Sequence, residues 1–269
     1  MDRAIIIGAF EFLGFHFCQT LLEEGYEVVG VHNSKNEEID FLELKRMAIG
    51  RNANFQEESL AQWLGEAEID EQTLVIIDYY DLFIRNAPDL PAVNKLMDLF
   101  LSRNEAALKQ NHSKVVWLLP IQWLLPENRL ELNRIKTYSH RYFLPSIYGP
   151  WQPDTFLLQQ GISKDHSQLT LNKREWIDDC LYIDDIVEEI LNMTERREMA
   201  SLILRSSIDN HWQKCAEFIS IPEKFINIRL SDEEAEFKSI ERKQVKCKLP
   251  ISEGIEKQIR HYRLFISAK

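Results

Sequence analysis

Residues Ile5–His16 read IIIGAFEFLGFH. The three isoleucines are the short, continuous apolar run of a buried parallel strand. Gly8 and Gly14 follow, spaced for a tight turn into a helix. Residues 13–24 (LGFHFCQTLLEE) set Leu13, Phe17, Leu21 and Leu22 at helical spacing, and Gly25 closes that helix. YEVVGVHN (26–33) reads as a second strand. Together these make a βαβ unit of about 30 residues, which suits a right-handed crossover. In such a unit the first turn brings bare backbone close to a phosphate at the helix N-terminus. Here Glu11 stands midway between the two glycines, where such turns need a third.

Outward from this unit the alternation continues. TLVIIDYY (73–80) is a third strong strand, residues 92–110 an amphipathic helix, KVVWLLP (114–120) another buried strand, and HRYFLPSIYGP (140–150) a strand ending in a turn. A weaker strand is expected near Asn54–Phe55. The pattern predicts an α/β fold with a Rossmann-like doubly wound parallel sheet. After Pro150 the texture changes: helices are expected over 182–195, 210–221 and 252–266, and a short strand over 201–207. The division is a nucleotide-binding-type domain over 1–150 and a smaller C-terminal lobe over 151–269 that partly returns to the sheet.

The chain has 269 residues, and its net charge is −11, which disfavours nucleic acid and anionic membranes as partners. Cys18, Cys180, Cys215 and Cys247 are far apart and form no Cys-x-x-Cys pair. No metal site or disulfide framework is therefore expected, and reduced thiols in a cytoplasmic protein fit the pattern. The first residues show no signal-peptide anatomy, and no apolar run has the length of a membrane span. Only nine glycines occur, about half the usual frequency.

Four segments in order, IIIGAFEFLG…LLEEGYEVVGVHN, SIYGPWQPDTF (146–156), LYIDDIVEEIL (181–191) and KLPISEGIEKQIRHYR (248–263), resemble the extended short-chain dehydrogenase/reductase superfamily. That group contains NAD(P)-dependent sugar epimerases and dehydratases. The resemblance implies a cofactor-binding Rossmann domain and a C-terminal substrate lobe. It also implies a Tyr-x-x-x-Lys pair with a Ser or Thr, in which the tyrosinate serves as acid/base and the lysine lowers its pKa.

The parts depart from that pattern at four places. The turn that would hold the cofactor diphosphate, spanning Gly8, Phe10, Glu11, Phe12, Leu13 and Gly14, carries a carboxylate. At ~4 Å from one phosphate charge it costs about 4 kcal/mol at an effective dielectric of 20. A helix terminus returns only ~0.3–1 kcal/mol at exposed sites, so repulsion wins unless Glu11 turns outward or pairs with a cation. The expected state of Glu11 is a solvated loop residue. The second strand ends in His32-Asn33-Ser34-Lys35 where members preferring NAD carry an acid. The expected state is an ordinary polar turn; the alternative is that Lys35 and His32 meet the extra phosphate of NADP. Asp78-Tyr79-Tyr80-Asp81 stands where small residues face the cofactor, and its rings are expected to fill that space. Between 120 and 140 there is no Tyr-x-x-x-Lys: Tyr138 is followed four positions later by Tyr142, and Pro120-Ile121-Gln122 replaces the Ser or Thr.

Other chemistry does not fill the gap. No His-Glu-x-x-His, nucleophile elbow or phosphate loop is present, and Asp184-Asp185 suit a helix start. Ile121–Leu125 is bulky for a loop and either seals the empty cleft or forms a patch for a partner. One helix of the usual family dimer is shortened here, so that dimer is doubtful. The sequence reading is a degenerate, non-catalytic protein acting through ligand sensing or protein interaction, with NADP or NAD binding weak or lost. The alternative is an active NAD(P)-dependent epimerase, dehydratase or reductase with a displaced proton relay through Tyr138, Tyr148 or Tyr79.

Overall fold

A computed structural model describes residues 3–32, 41–60, 63, 69, 73–86, 90–110, 114–126, 135, 139–194, 200–226, 237 and 240–266. Strands β1 (Arg3–Ile7), β2 (Glu27–His32), β3 (Phe55–Ser59), β4 (Thr73–Asp78), β5 (Lys114–Pro120), β6 (His140–Leu144), β9 (Ser201–Ser206) and β10 (Glu241–Val245) form one eight-stranded sheet. Its order is β10-β9-β6-β5-β4-β1-β2-β3, and every ladder in it is parallel. The doubly wound α/β fold read from the sequence is thus the observed one. Strands β7 (Ser146–Tyr148) and β8 (Cys180–Tyr182) pair separately.

Side-chain alternation along β1 explains the two-layered core. Ala4 and Ile6 face helix α1 (Phe12–Glu23), while Ile5 and Ile7 face Val93, Met97 and Phe100 of helix α4 (Leu90–Gln110). Both sheet faces are covered, which is why these strands read as continuous apolar runs. Gly14 has a packing role: a Cβ there would sit 2.1 Å from the Gly8 carbonyl oxygen, so α1 lies this close to β1 only without a side chain.

Several elements differ from expectation. The strand expected over 73–80 stops at Asp78, and Tyr80 opens a short helix, α3 (Tyr80–Ile84). Helix α2 (Leu42–Ile49) was not expected; its apolar residues include the exposed Met47 and so mark no single face. β10 carries too few apolar residues to announce itself. β10 is an edge strand, ERKQV, with one buried residue. Strand β8 and helix α5 (Leu157–Ser163) are short.

The C-terminal half packs across the α1 face. Ile186 and Ile190 of helix α6 (Ile183–Thr194) join the core there, as do Trp212 and Cys215 of α7 (His211–Phe218). A short helix, α8 (Glu223–Ile226), follows α7. Gln258 of the last helix, α9 (Ile251–Ile266), clamps the lobe. It accepts from the Gly149 N–H at 3.0 Å and donates to Gln152 and Gln159 at 2.7 and 2.8 Å. Among the described residues no helix is long and apolar enough to cross a membrane.

The chain leaves β1 toward β2 and β3 on one side and returns through β4, β5 and β6 on the other. The β1–β4 boundary is therefore the topological switch point, and the crevice at their carboxyl ends is where such sheets take ligands.

Candidate functional site

At that switch point the turn after β1 meets the turn after β4. Helix α1 begins without a side-chain cap from Glu11, its N-cap residue. Its first-turn N–H groups need acceptors. They find them in Asp78, the last residue of β4, and Asp81 of α3: Leu13 N–H donates to Asp81 Oδ2 at 2.6 Å and Gly14 N–H to Asp78 Oδ2 at 3.0 Å. Both bonds are buried and, where the acceptor is ionised, charge-assisted. The helix terminus that would cradle an anion already holds one from its own chain.

Glu11 is not the solvated loop residue expected from the sequence. It is 4% exposed and accepts two hydrogen bonds from Arg85, to Oε2 at 3.1 Å and to Oε1 at 2.7 Å. Burial raises its carboxyl above the usual range, against the pull of Arg85. The buried Lys45 donates to the Phe10 carbonyl oxygen at 2.8 Å. Burial also raises Asp78 well above its ordinary value, and the Asp81 charge adds to it. Asp81 Oδ1 is buried and meets no partner among the described residues.

Aromatic rings occupy the surrounding space. Tyr80 stacks on Phe156 at 6.2 Å and donates its hydroxyl to the Pro145 carbonyl oxygen at 2.8 Å. Phe12 meets the same Phe156 ring edge-on. Phe10 packs against His32 and Phe55, with the Arg46 guanidinium over its face. Tyr79 lies on the other face of the sheet, between Trp117 and Trp123, and its hydroxyl donates to Asn94 at 2.6 Å. Ile121, Trp123, Leu124 and Leu125 are all buried, so this segment seals rather than presents a patch.

The remaining expected site residues fall elsewhere. His32 Nε2 lies 2.9 Å from Glu57. Tyr148, the last residue of β7, is buried, its hydroxyl 3.2 Å from His211 Nε2. Asn33, Lys35 and Tyr138 lie outside the described residues. Tyr79 and Tyr148, two alternatives for one proton relay, therefore belong to different parts of the molecule. A dinucleotide diphosphate does not fit the β1–α1 turn as built: its two donors are taken, and the space beside them holds Glu11, Tyr80 and Phe12. Arg85 and Lys45 were not anticipated from the sequence. Both follow strands that flank β1, Lys45 after β2 and Arg85 after β4.

A second polar cluster lies within the C-terminal lobe. His211 and Cys215 share one face of α7, and Cys180 opens β8. The Cys180 and Cys215 sulfurs are 3.7 Å apart. His211 Nδ1 lies 2.8 Å from Ser206 Oγ. The hydrogen bond to Cys180 draws the Cys215 thiol down to about 6, against burial and together with His211. Sequence spacing alone separated these cysteines; the fold joins two of them.

No family model matches the chain. Protein CapI of Staphylococcus aureus is 23% identical over 232 residues, covering 72% of this chain and 70% of that protein. Among solved structures, dTDP-glucose 4,6-dehydratase from Bacillus anthracis, in complex with NAD, superposes with a TM-score of 0.65 at 12% identity, covering 98% of this chain and 97% of the other. UDP-glucose 4-epimerase from Thermotoga maritima, with UDP-glucose, gives a TM-score of 0.65 at 14% identity, covering 99% and 100%.

Proposed function

From a chain with the fold of the extended short-chain dehydrogenase/reductases, we propose a non-catalytic protein that works by binding, as a sensor or interaction partner, and not by turnover. The observation that carries this reading is the pair of carboxylates on the α1 N-terminus. Asp81 and Asp78 accept the Leu13 and Gly14 N–H bonds that a diphosphate would need. Entry of a dinucleotide would have to break both, displace a buried ion pair and bring further negative charge beside Glu11. In the low-dielectric crevice each of these steps costs more than a helix terminus returns. The tyrosines support the same reading. The Tyr79 hydroxyl is tied to Asn94, and the Tyr148 hydroxyl meets His211. Both are engaged with groups that do not supply the lysine's lowering of a tyrosine pKa.

Calorimetric titration with NADH and NADPH tests this. The expected result is no binding at millimolar cofactor. Micromolar binding by the wild-type protein would overturn the reading. The double variant Glu11→Gly/Asp81→Ala frees Leu13 N–H and Arg85 together and is expected to gain measurable affinity. Glu11→Gly alone is expected to gain none, because Asp81 still holds the donor.

A further inference from the structure

We propose that Cys180, His211 and Cys215 form a binding site for a zinc-class divalent metal ion, with two thiolates and one imidazole as ligands. The three ligand atoms lie within 4.8 Å of one another, and all three residues are buried. Cys180 and Cys215 are fully buried and His211 is 1% exposed. His211 and Cys215 stand four positions apart on α7, so both project from the same face. Cys180 reaches them from the first position of β8. The sulfur–sulfur separation of 3.7 Å matches the ~3.8 Å edge of a tetrahedron with bonds of ~2.3 Å to zinc. Closing the imidazole onto the same centre needs a shift of about 1 Å.

The surroundings suit a ligand set better than a packed core. Nδ1 of His211 is 2.8 Å from Ser206 Oγ, which fixes the ring and leaves Nε2 facing inward. Asp179 accepts from the Cys180 and Ser206 N–H groups at 2.8 Å each, and so holds the two strand ends that carry the site. The Tyr148 hydroxyl lies 3.2 Å from Nε2 and turns aside when the ion takes that nitrogen. Cys247 approaches His211 from the Nδ1 side at 3.9 Å and is half-buried, so it does not join the ligands that meet at Nε2. Binding exchanges two protons, held among the two thiols and the imidazole, for the ion and releases them to solvent. The site is independent of the β1–β4 crevice and does not rest on the reading given for it.

The full chain, expressed without a histidine tag and purified in reductant, is assayed for zinc by elemental analysis. It is then stripped with chelator and titrated with Co2+. The expected result is one zinc per chain, and on titration a thiolate-to-cobalt charge-transfer band with tetrahedral visible bands, displaced by Zn2+. Cys180→Ser and Cys215→Ser are expected to lose the charge-transfer intensity and to weaken affinity at least ~10-fold. Cys247→Ser is expected to keep both. Should a serine variant fail to fold, the stripped wild-type protein serves instead: zinc added in weak buffer is expected to release about two protons per ion bound, and no release would overturn the proposal. No zinc above background, together with no cobalt band in reduced wild-type protein, would overturn the proposal. So would a band that survives both serine substitutions. A mapped Cys180–Cys215 disulfide in metal-free protein would also overturn it and make the pair a redox couple.

Discussion

Glu11 joins the glycine turn to the helix after β4. Its presence in that turn was legible from the sequence; its partner was not, because Arg85 lies 74 positions away. Burial makes this pair costly to break from one side. Arg85→Met leaves a buried carboxylate without its bidentate donor and is expected to lose about 3–5 kcal/mol of stability in urea melts. Adding Glu11→Leu is expected to restore most of that loss, since replacing both partners with apolar groups removes the unpaired charge. If Arg85→Met costs nothing, the ion pair is not formed in solution. Asp78 gives a second residue-scale expectation. Its carboxyl is raised in the fold, so the folded state holds its proton over a range in which the unfolded chain has released it. The stability it contributes is present below its ordinary value of 3.8 and declines as pH climbs toward the raised folded value. Wild-type protein should therefore lose stability relative to Asp78→Asn as pH rises above the ordinary value of 3.8. A constant difference in urea midpoint as pH rises would contradict the raised Asp78 carboxyl.

At the scale of elements, α1 shows what was readable and what was not. Its apolar spacing and its glycines announced a strand–turn–helix unit, and the structure contains one. The same glycines suggested cofactor binding, yet Gly14 is needed simply for α1 to touch β1. Gly14→Ala is expected to destabilise the chain by about 3 kcal/mol or more in urea, or to prevent folding, because the new Cβ meets backbone. Gly25 has a φ of +86°, and a Cβ added there would meet nothing within 4 Å. The same change at Gly25 should lose only about 1 kcal/mol. Equal losses at the two positions would argue against the close α1–β1 packing. Buried strands were legible because both their faces are apolar. The edge strand β10 was not, because its polar ERKQV gives no period to detect. Tyr79 and Tyr80 were read as the end of a strand. They lie instead at the strand-to-helix turn, which sends one ring to each face of the sheet.

For the whole molecule, the sheet order alone locates the crevice, and the side chains decide what it can hold. The parallel sheet with its switch point between β1 and β4 is what the sequence predicted and what the solved epimerase and dehydratase structures share. The fold was legible because strand order follows from a repeating βα pattern. The contents of the crevice depend on pairs distant in sequence: Asp81 with Leu13, Arg85 with Glu11, Tyr80 with Phe156. Such pairs leave no local pattern. The same holds for Cys180 and Cys215, which spacing kept apart and topology brought to 3.7 Å.

Whether the crevice is closed to a dinucleotide is decided by a crystal structure of the wild-type protein grown or soaked with millimolar NADH. The expected result is Asp81 still on the Leu13 N–H, Asp78 on the Gly14 N–H, and no coenzyme density along the β1–α1 turn. A diphosphate bonded to those two N–H groups, with both carboxylates swung away, would contradict a crevice sealed by its own acids.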